Sequence, residues 1–342
     1  MEIQQNISLK NYSTMRLGGN ARYLAKVNSK TDLTDCLNWA QANNQKFIII
    51  GNGSNIVWQD SGFDGLVIVS QIKLSEVKEI SKTQSLFTQG AGENWDDFVS
   101  KTVELGFSGI EQLSLIPGTA GAAPVQNIGA YGRELKDVLE SVEVFDIKKN
   151  EFLNLSNADC RFGYRTSIFK THSKGQYAIT SSTLKLTRTN PQPPFYNSLQ
   201  TYLQNNQITN YTPASIRQAV IEIRRDKLPD PKQVANNGSF FTNPIVSKEI
   251  VHSLLELYPD MPNWPQPDSQ IKLSAGWLLE HAGFTKGYQD ISTGMALWKN
   301  QPLVVVNQSA RETSDLLAFK QKIVDTVYSK FGITLEQEPE LI

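Results

Sequence analysis

A chain of 342 residues, 39% hydrophobic and 20% charged, is too long for one ordinary core and predicts two or three domains. A formal net charge of −1 gives no footing for a nucleic-acid or membrane-surface role, and no apolar run approaches the roughly 20 residues of a membrane span. The opening MEIQQNISLK lacks a signal-peptide core, and Cys36, Cys160 and the three histidines give neither a disulfide framework nor a metal set, so a cytoplasmic, metal-free protein is expected.

In chain order, NYSTMRLGG (11–19) reads as a turn leading into a strand over Ala21–Val27. Residues 31–42 then place Leu33, Leu37 and Ala40 on one helical face. The apolar strand Phe47–Ile50 runs directly into Gly51-Asn52-Gly53-Ser54-Asn55. This loop fails the dinucleotide fingerprint, because the sixth position is Ile56 and WQDSGFDG cannot continue as a helix. A standard Rossmann unit is therefore disfavoured, while a phosphate site where the strand meets the loop stays open. Strands are expected over 66–70, 72–80 and 85–90. Asn94 then caps a helix with Trp95, Phe98, Val99, Val103 and Leu105 as its apolar positions and Gly106 as a left-handed stop.

Residues 115–132, LIPGTAGAAPVQNIGAYG, form the most distinctive stretch. Small residues leave nothing between backbone and ligand, so several N–H groups can converge on an anion. Pyrophosphate is the obvious candidate, with Gln126 and Asn127 able to reach a polar ring edge. A plain turn-rich loop is the alternative. Strands over Ser141–Ile147 and Tyr177–Leu186 flank CRFGYRTSIFK, where Tyr164 and Arg165 either face a cavity or form a surface pair. Residues 190–211, rich in Pro, Asn and Gln, read as a linker or mobile loop.

Thr212-Pro213 opens a helix with Ile216, Val220 and Ile223 buried, ending at RRDKLPDP, a basic end that complements the helix dipole. In NNGSFFTNP (236–244), Gly238 permits a tight turn that pushes the Ser239 hydroxyl forward, and Phe240 and Phe241 anchor the loop. A nucleophile elbow is excluded because its second glycine is absent. Helices are expected over 247–257 and 274–281, with Gly283 closing the second and His281 on its surface. A buried strand follows at 303–306. A Ser309–Glu312 capping box then starts a long helix to Lys330, with Gly332 as its stop. In the closing FGITLEQEPELI, a strand would carry Glu336, Glu338 and Glu340 on one face.

In their order, and over nearly the whole chain, these segments resemble the UDP-N-acetylenolpyruvoylglucosamine reductases (the MurB family), flavoenzymes of bacterial cell-wall precursor synthesis. The resemblance is carried by NYSTMRLGG, GNGSN, PGTAGAAPVQNIGAYG, YRTS, RRDKLPDP, NNGSFFTNP, LSAGWLLEHAGFTKGYQ and FGITLEQE. It implies an α+β protein with a flavin-binding fold of vanillyl-alcohol-oxidase (PCMH) type in two subdomains, plus a C-terminal α/β substrate domain. The implied boundaries are 1–70 together with a C-terminal strand at 331–342, then 71–226, then 227–325.

Non-covalent FAD would be held by Arg16, by Gly51, Asn52, Gly53, Ser54 and Asn55, and by Pro117, Gly118, Thr119, Gly121, Gln126, Asn127, Gly129, Ala130 and Tyr131. NADPH would donate hydride, and the substrate would be a UDP-sugar carrying an enolpyruvyl ether. In this family pattern Arg165 lies beside the substrate carboxylate, Ser239 is the proton donor and Glu338 is the active-site glutamate, with Glu340 as its alternative. Tyr164, Tyr196, Lys227, Asn243 and Gln289 fall at substrate positions, with Tyr202 as the alternative to Tyr196. No nucleic acid, membrane or obligatory protein partner is implied.

Two rival readings are an FAD-dependent sugar or alcohol oxidase of the same fold and a nucleotide-binding protein without chemistry. Such oxidases often tether flavin through histidine or cysteine, and neither flavin loop contains one. A mere binder does not require Arg165, Ser239 and Glu338 to match together.

Overall fold

The computed structural model describes residues 2–342, and its backbone groups into two units. The first comprises the N-terminal strand through Ile7, Ala21–Asn52 and Asp64–Arg225; the second comprises Ser8–Asn20, Gly53–Phe63 and Asp226–Ile342. The boundary thus passes through the GNGSN loop, between Asn52 and Gly53, and residues 331–342 group with the second unit.

In the first unit, α1 (Lys30–Ala42) begins where Ser29 Oγ accepts the Asp32 N–H, and it buries Leu33, Cys36, Leu37 and Ala40. These pack beside a four-stranded sheet of order Ile3–Ser8, Asn20–Val27, Phe63–Ser70, Phe47–Ile50, in which the last two strands run parallel. A five-stranded sheet has the order Glu151–Ser156, Leu139–Asp146, Tyr177–Thr187, Gln84–Gly90, Ser75–Glu79, antiparallel at each step. Its core is built with α2 (Trp95–Glu104), which Asn94 caps through the Asp97 N–H and which Gly106 closes at φ +76°. After Ile50 the chain makes no helix, so the failed fingerprint has a structural counterpart: the next element is the short strand Ile56–Val57.

Residues 190–211 depart from the expected linker. They contain α3 (Asn197–Asn205), whose Leu199 and Leu203 are fully buried against Ile216, Ala219 and Val220 of α4 (Pro213–Lys227). The i, i+4 leucine pair lies between Pro- and Asn-rich flanks whose composition outweighed it.

In the second unit, a four-stranded sheet has the order Ala235–Ser239, Gln301–Asn307, Met295–Trp298, Gln289–Asp290. Residues Ile245–Ser247, Gln270–Leu273 and Asn263–Pro265 form a second sheet, and Glu340–Leu341 pairs in parallel with Ile56–Val57. One apolar core joins Phe240, Phe241, Val251, Leu278, Phe319 and Ile323, drawing on α5 (Lys248–Leu257), α6 (Ala275–His281) and α7 (Thr313–Phe331).

The capping box of α7 lies one turn later than Ser309–Glu312. Glu312 is the cap and Asp315 its partner, because the Asp60 carboxylate takes the Thr313 and Ser314 N–H groups and fixes the start there. The C-terminal strand is also shorter than expected, reduced to Glu340–Leu341 with Gln337 bridging Phe241. Pro339 cannot donate to a ladder, so the alternation breaks at that point.

No helix among the described residues is long and apolar enough to cross a membrane, and none of their His, Cys, Asp and Glu groups forms a metal-binding set.

Candidate active site

In the first unit, the small-residue loop is laid against the start of α2. Trp95 N–H donates to the Gly118 carbonyl, Ala120 N–H to Glu93, and Gly121 N–H to Ala91. A Cβ on Gly121 would come within 2.5 Å of the Ala91 Cβ, so glycine is what allows this approach. The amides of Ala122, Ala123 and Val125 close turns within the loop. The set of N–H groups open to an anion is therefore narrower than the composition implies. Two features nonetheless fit a dinucleotide diphosphate: Thr119 Oγ1 is buried without a hydrogen-bond partner, and a Cβ on Gly51 would lie 2.5 Å from that same oxygen. The two glycine-bearing loops thus meet at Thr119.

Further along, Asn127 sits at φ +47° with its side chain engaged on three sides. Its Nδ2 donates to Glu134 Oε2 and the Gly163 carbonyl, and its Oδ1 accepts the Lys136 N–H, each at 3.0 Å. Asn127 thereby ties the loop to the turn Gly163–Thr166, which presents Tyr164 and Arg165. Arg165 Nη2 donates to the Gly129 carbonyl at 2.8 Å, and its guanidinium lies 5.5 Å from the Tyr164 ring. Pro117 is exposed and Gln126 half-buried, and Ala130 pairs with Arg133 in a small hairpin.

Tyr131 meets Tyr196 edge-on at 6.2 Å. Burial raises the Tyr131 pKa, and the same cause holds the Arg224 guanidinium below its usual range against the pull of Tyr131 and Asp96. Arg165 adds a like charge acting on Arg224. Tyr196, at the head of α3, is 52% exposed, whereas Tyr202 packs against the Leu199–Leu203 core.

In the second unit, four separated segments are stitched together by side-chain amides. Asn237 Nδ2 donates to Thr14 Oγ1 and the Ser54 carbonyl, both at 3.0 Å. Asn55 Nδ2 donates to the Glu338 carbonyl, and Glu338 N–H donates to the Phe240 carbonyl at 2.8 Å. Glu338 is thereby held beside the GSFF turn, while the Glu340 N–H is bonded to the Asn55 carbonyl. Gly238 adopts φ +75° and donates to Asn236 Oδ1, Ser239 pairs with Val304, and Phe240 and Phe241 are 1% exposed. The positive φ of Gly238 and the buried phenylalanine pair match the turn and the anchor expected of NNGSFF, with Ser239 at the end of the strand Ala235–Ser239. Gly53 at φ +67° has no room for a Cβ, which would lie 2.0 Å from the Tyr12 carbonyl.

Arg16 Nη2 donates to the Pro231 and Lys232 carbonyls at 2.8 and 2.7 Å. Lys227 is exposed at the end of α4. Asn243 Oδ1 accepts the Ala275 N–H at the head of α6, which orients its amide, and Gln289 is exposed on the edge strand of its sheet. Sequence reasoning missed Arg224, Asn237 and Thr14. Arg224 lies seven residues after Arg217 and four after Val220 on one face of α4, a periodicity that was available. Burial pushes Cys36 up to about 11 and Cys160 up to about 12, so neither thiol is poised for covalent chemistry.

Residues 21–156 match the family model of an FAD binding domain, and 230–342 match the C-terminal domain of UDP-N-acetylenolpyruvoylglucosamine reductase. Among similar proteins, the UDP-N-acetylenolpyruvoylglucosamine reductase of Neisseria gonorrhoeae is 41% identical over 98% of this chain and 96% of its own. That of Flavobacterium johnsoniae is 40% identical over 100% of both. In fold, the chain is similar to the reductase (MurB) structure from Thermus caldophilus, with TM-score 0.68 and 24% identity over 100% of this chain and 99% of that one. An FAD binding domain with this C-terminal domain added defines a flavoprotein of the vanillyl-alcohol-oxidase type. The chain belongs to the UDP-N-acetylenolpyruvoylglucosamine reductase family.

Proposed function

We propose that this chain is an FAD-containing, NADPH-dependent reductase that converts the enolpyruvyl group of UDP-N-acetylglucosamine-enolpyruvate to the lactyl ether of UDP-N-acetylmuramate, a step of peptidoglycan precursor synthesis. The observation that carries the reading is 41% identity to a reductase of that name across almost the full length of both chains. In this reading residues 1–70 with the strand at 331–342, and residues 71–226, make the FAD-binding part, and residues 227–325 make the substrate-binding part. Bound FAD supplies hydride equivalents, taken from NADPH and passed to the enolpyruvyl β-carbon.

The side chains divide the remaining work. Within the first unit, Thr119 with Gly51, Gly118, Gly121 and Gly129 supplies the close backbone approach and buried hydroxyl that a diphosphate requires. Asn127 holds that loop in place. Hydride addition leaves negative charge spread from the α-carbon onto the carboxylate. Arg165, fixed by the Gly129 carbonyl and Tyr164, stabilises that charge. Ser239 then delivers a proton to the α-carbon, a weak acid working against a strong base at short range. Glu338 assists when protonated or when it orients a donor, since a bare carboxylate would repel the enolate. Lys227 is a point charge suited to a diphosphate or carboxylate, and Asn243, Tyr196 and Gln289 suit polar groups of the sugar nucleotide.

Ser239→Ala tests the division. FAD reduction by NADPH stays near the native rate, while reoxidation by the enolpyruvyl substrate slows by about 100-fold or more, the usual weight of a positioned proton donor. Ser239→Cys recovers part of that loss. Equal damage to both half-reactions, or normal reoxidation in Ser239→Ala, removes Ser239 from the mechanism.

A further inference from the structure

The entry to the flavin loop is gripped from both sides at a strained residue. Leu115 adopts φ +55°, a conformation that side-chain-bearing residues rarely take. Its N–H donates to Asp96 Oδ1 at 2.7 Å, and its carbonyl accepts from Arg224 Nη2 at 3.3 Å. Asp96 is itself locked by a two-point pair, with Arg217 Nη1 and Nη2 at 2.7 and 3.1 Å from its two oxygens. That pair is mostly shielded, with side chains 12% and 24% exposed. Arg217 and Arg224 both come from α4, so one helix braces Asp96 and the Leu115 carbonyl together. Two residues later, Pro117-Gly118-Thr119 carries the buried unpartnered hydroxyl.

We propose that Asp96, braced by Arg217, is a positioning residue that holds Leu115 in its left-handed conformation and thereby sets the loop in its FAD-binding shape. The inference rests on residues 115–132 being the cofactor loop. It makes a prediction opposite to simple electrostatics. Removing a carboxylate near an anionic diphosphate tightens binding on charge alone, whereas removing the lock loosens it.

The test follows FAD dissociation from diluted holoenzyme by flavin fluorescence. Asp96→Ala raises the FAD dissociation constant by about 10- to 100-fold, the worth of a charge-assisted hydrogen bond lost from a partly buried site. Asp96→Asn keeps an acceptor for the Leu115 N–H but loses the ion pair, and it falls between Asp96→Ala and the native protein. Asp97→Ala, an exposed acidic neighbour on the same turn of α2, leaves FAD affinity unchanged. Leu115→Gly, which adopts positive φ without strain, restores most of the affinity when added to Asp96→Ala.

Unchanged or tighter FAD binding in Asp96→Ala, or no rescue by Leu115→Gly, overturns the proposal. Should Asp96→Ala not fold, Asp96→Asn with native affinity overturns it equally. A native protein that binds no FAD at all would instead sink the assignment of the loop.

Discussion

Gly238→Ala isolates the aiming of Ser239 from everything else the loop does. At φ +75° an alanine is strained, but its Cβ meets no atom within 4 Å, so the perturbation is backbone conformation alone. A left-handed residue bearing a Cβ costs roughly 1–2 kcal/mol. Downstream, the chain is pinned by the Ser239–Val304 pairing and by Phe240 N–H on the Leu303 carbonyl at 2.7 Å. A Cβ at position 238 therefore strains the short link that carries Ser239. Expressed in the transition state, the same energy slows proton delivery by about 5- to 30-fold.

Gly175→Ala is a matched control. Its φ is +76°, its Cβ also meets nothing within 4 Å, and the nearest candidate site residue along the chain, Arg165, is ten residues away. Both variants should lose similar stability in urea unfolding, but only Gly238→Ala should slow substrate-driven reoxidation in stopped flow, with NADPH-driven reduction unchanged. Equal slowing by both variants, or native reoxidation in Gly238→Ala, refutes the aiming argument.

Asp290 offers a pH-dependent test of the second unit. Lys322 and Ser292 draw its pKa from 3.8 to about 2, a shift worth about 2–3 kcal/mol, and an upper bound because Lys322 is half exposed. A depressed carboxyl pKa stabilises above the unfolded value and loses that contribution as pH falls through the folded one. Asp290→Asn should therefore be less stable than the native protein at pH 7, with the gap closing between about pH 4 and 2; a gap independent of pH contradicts the assignment. Lys227→Ala and Tyr196→Phe should raise the KM for the sugar nucleotide while flavin content stays native. Emptying of the flavin site by either change would contradict their placement with the substrate.

Much of the site was legible because its chemistry is local in sequence. The positive φ of Gly53 and Gly238, the buried Phe240–Phe241 pair and the Asn94 cap each follow from neighbouring residues. What escaped depends on distant partners. Asp60 sets the start of α7 from 253 residues away, and no local capping rule contains it. The Arg16 guanidinium reaches carbonyls at 231 and 232, partners that its own motif does not name. Arg224 looked like dipole compensation at a helix end, because its burial against the Tyr131 loop depends on long-range packing. The helix Asn197–Asn205 was hidden by its flanks, since two leucines are a weak signal against surrounding proline and asparagine.

The central claim is tested most directly by an anaerobic titration of the native protein. NADPH should bleach the flavin absorbance, and UDP-N-acetylglucosamine-enolpyruvate alone should then restore it, with one UDP-N-acetylmuramate formed per flavin reoxidised. Recovery of colour only when oxygen is admitted would contradict the account and favour an oxidase of the same fold.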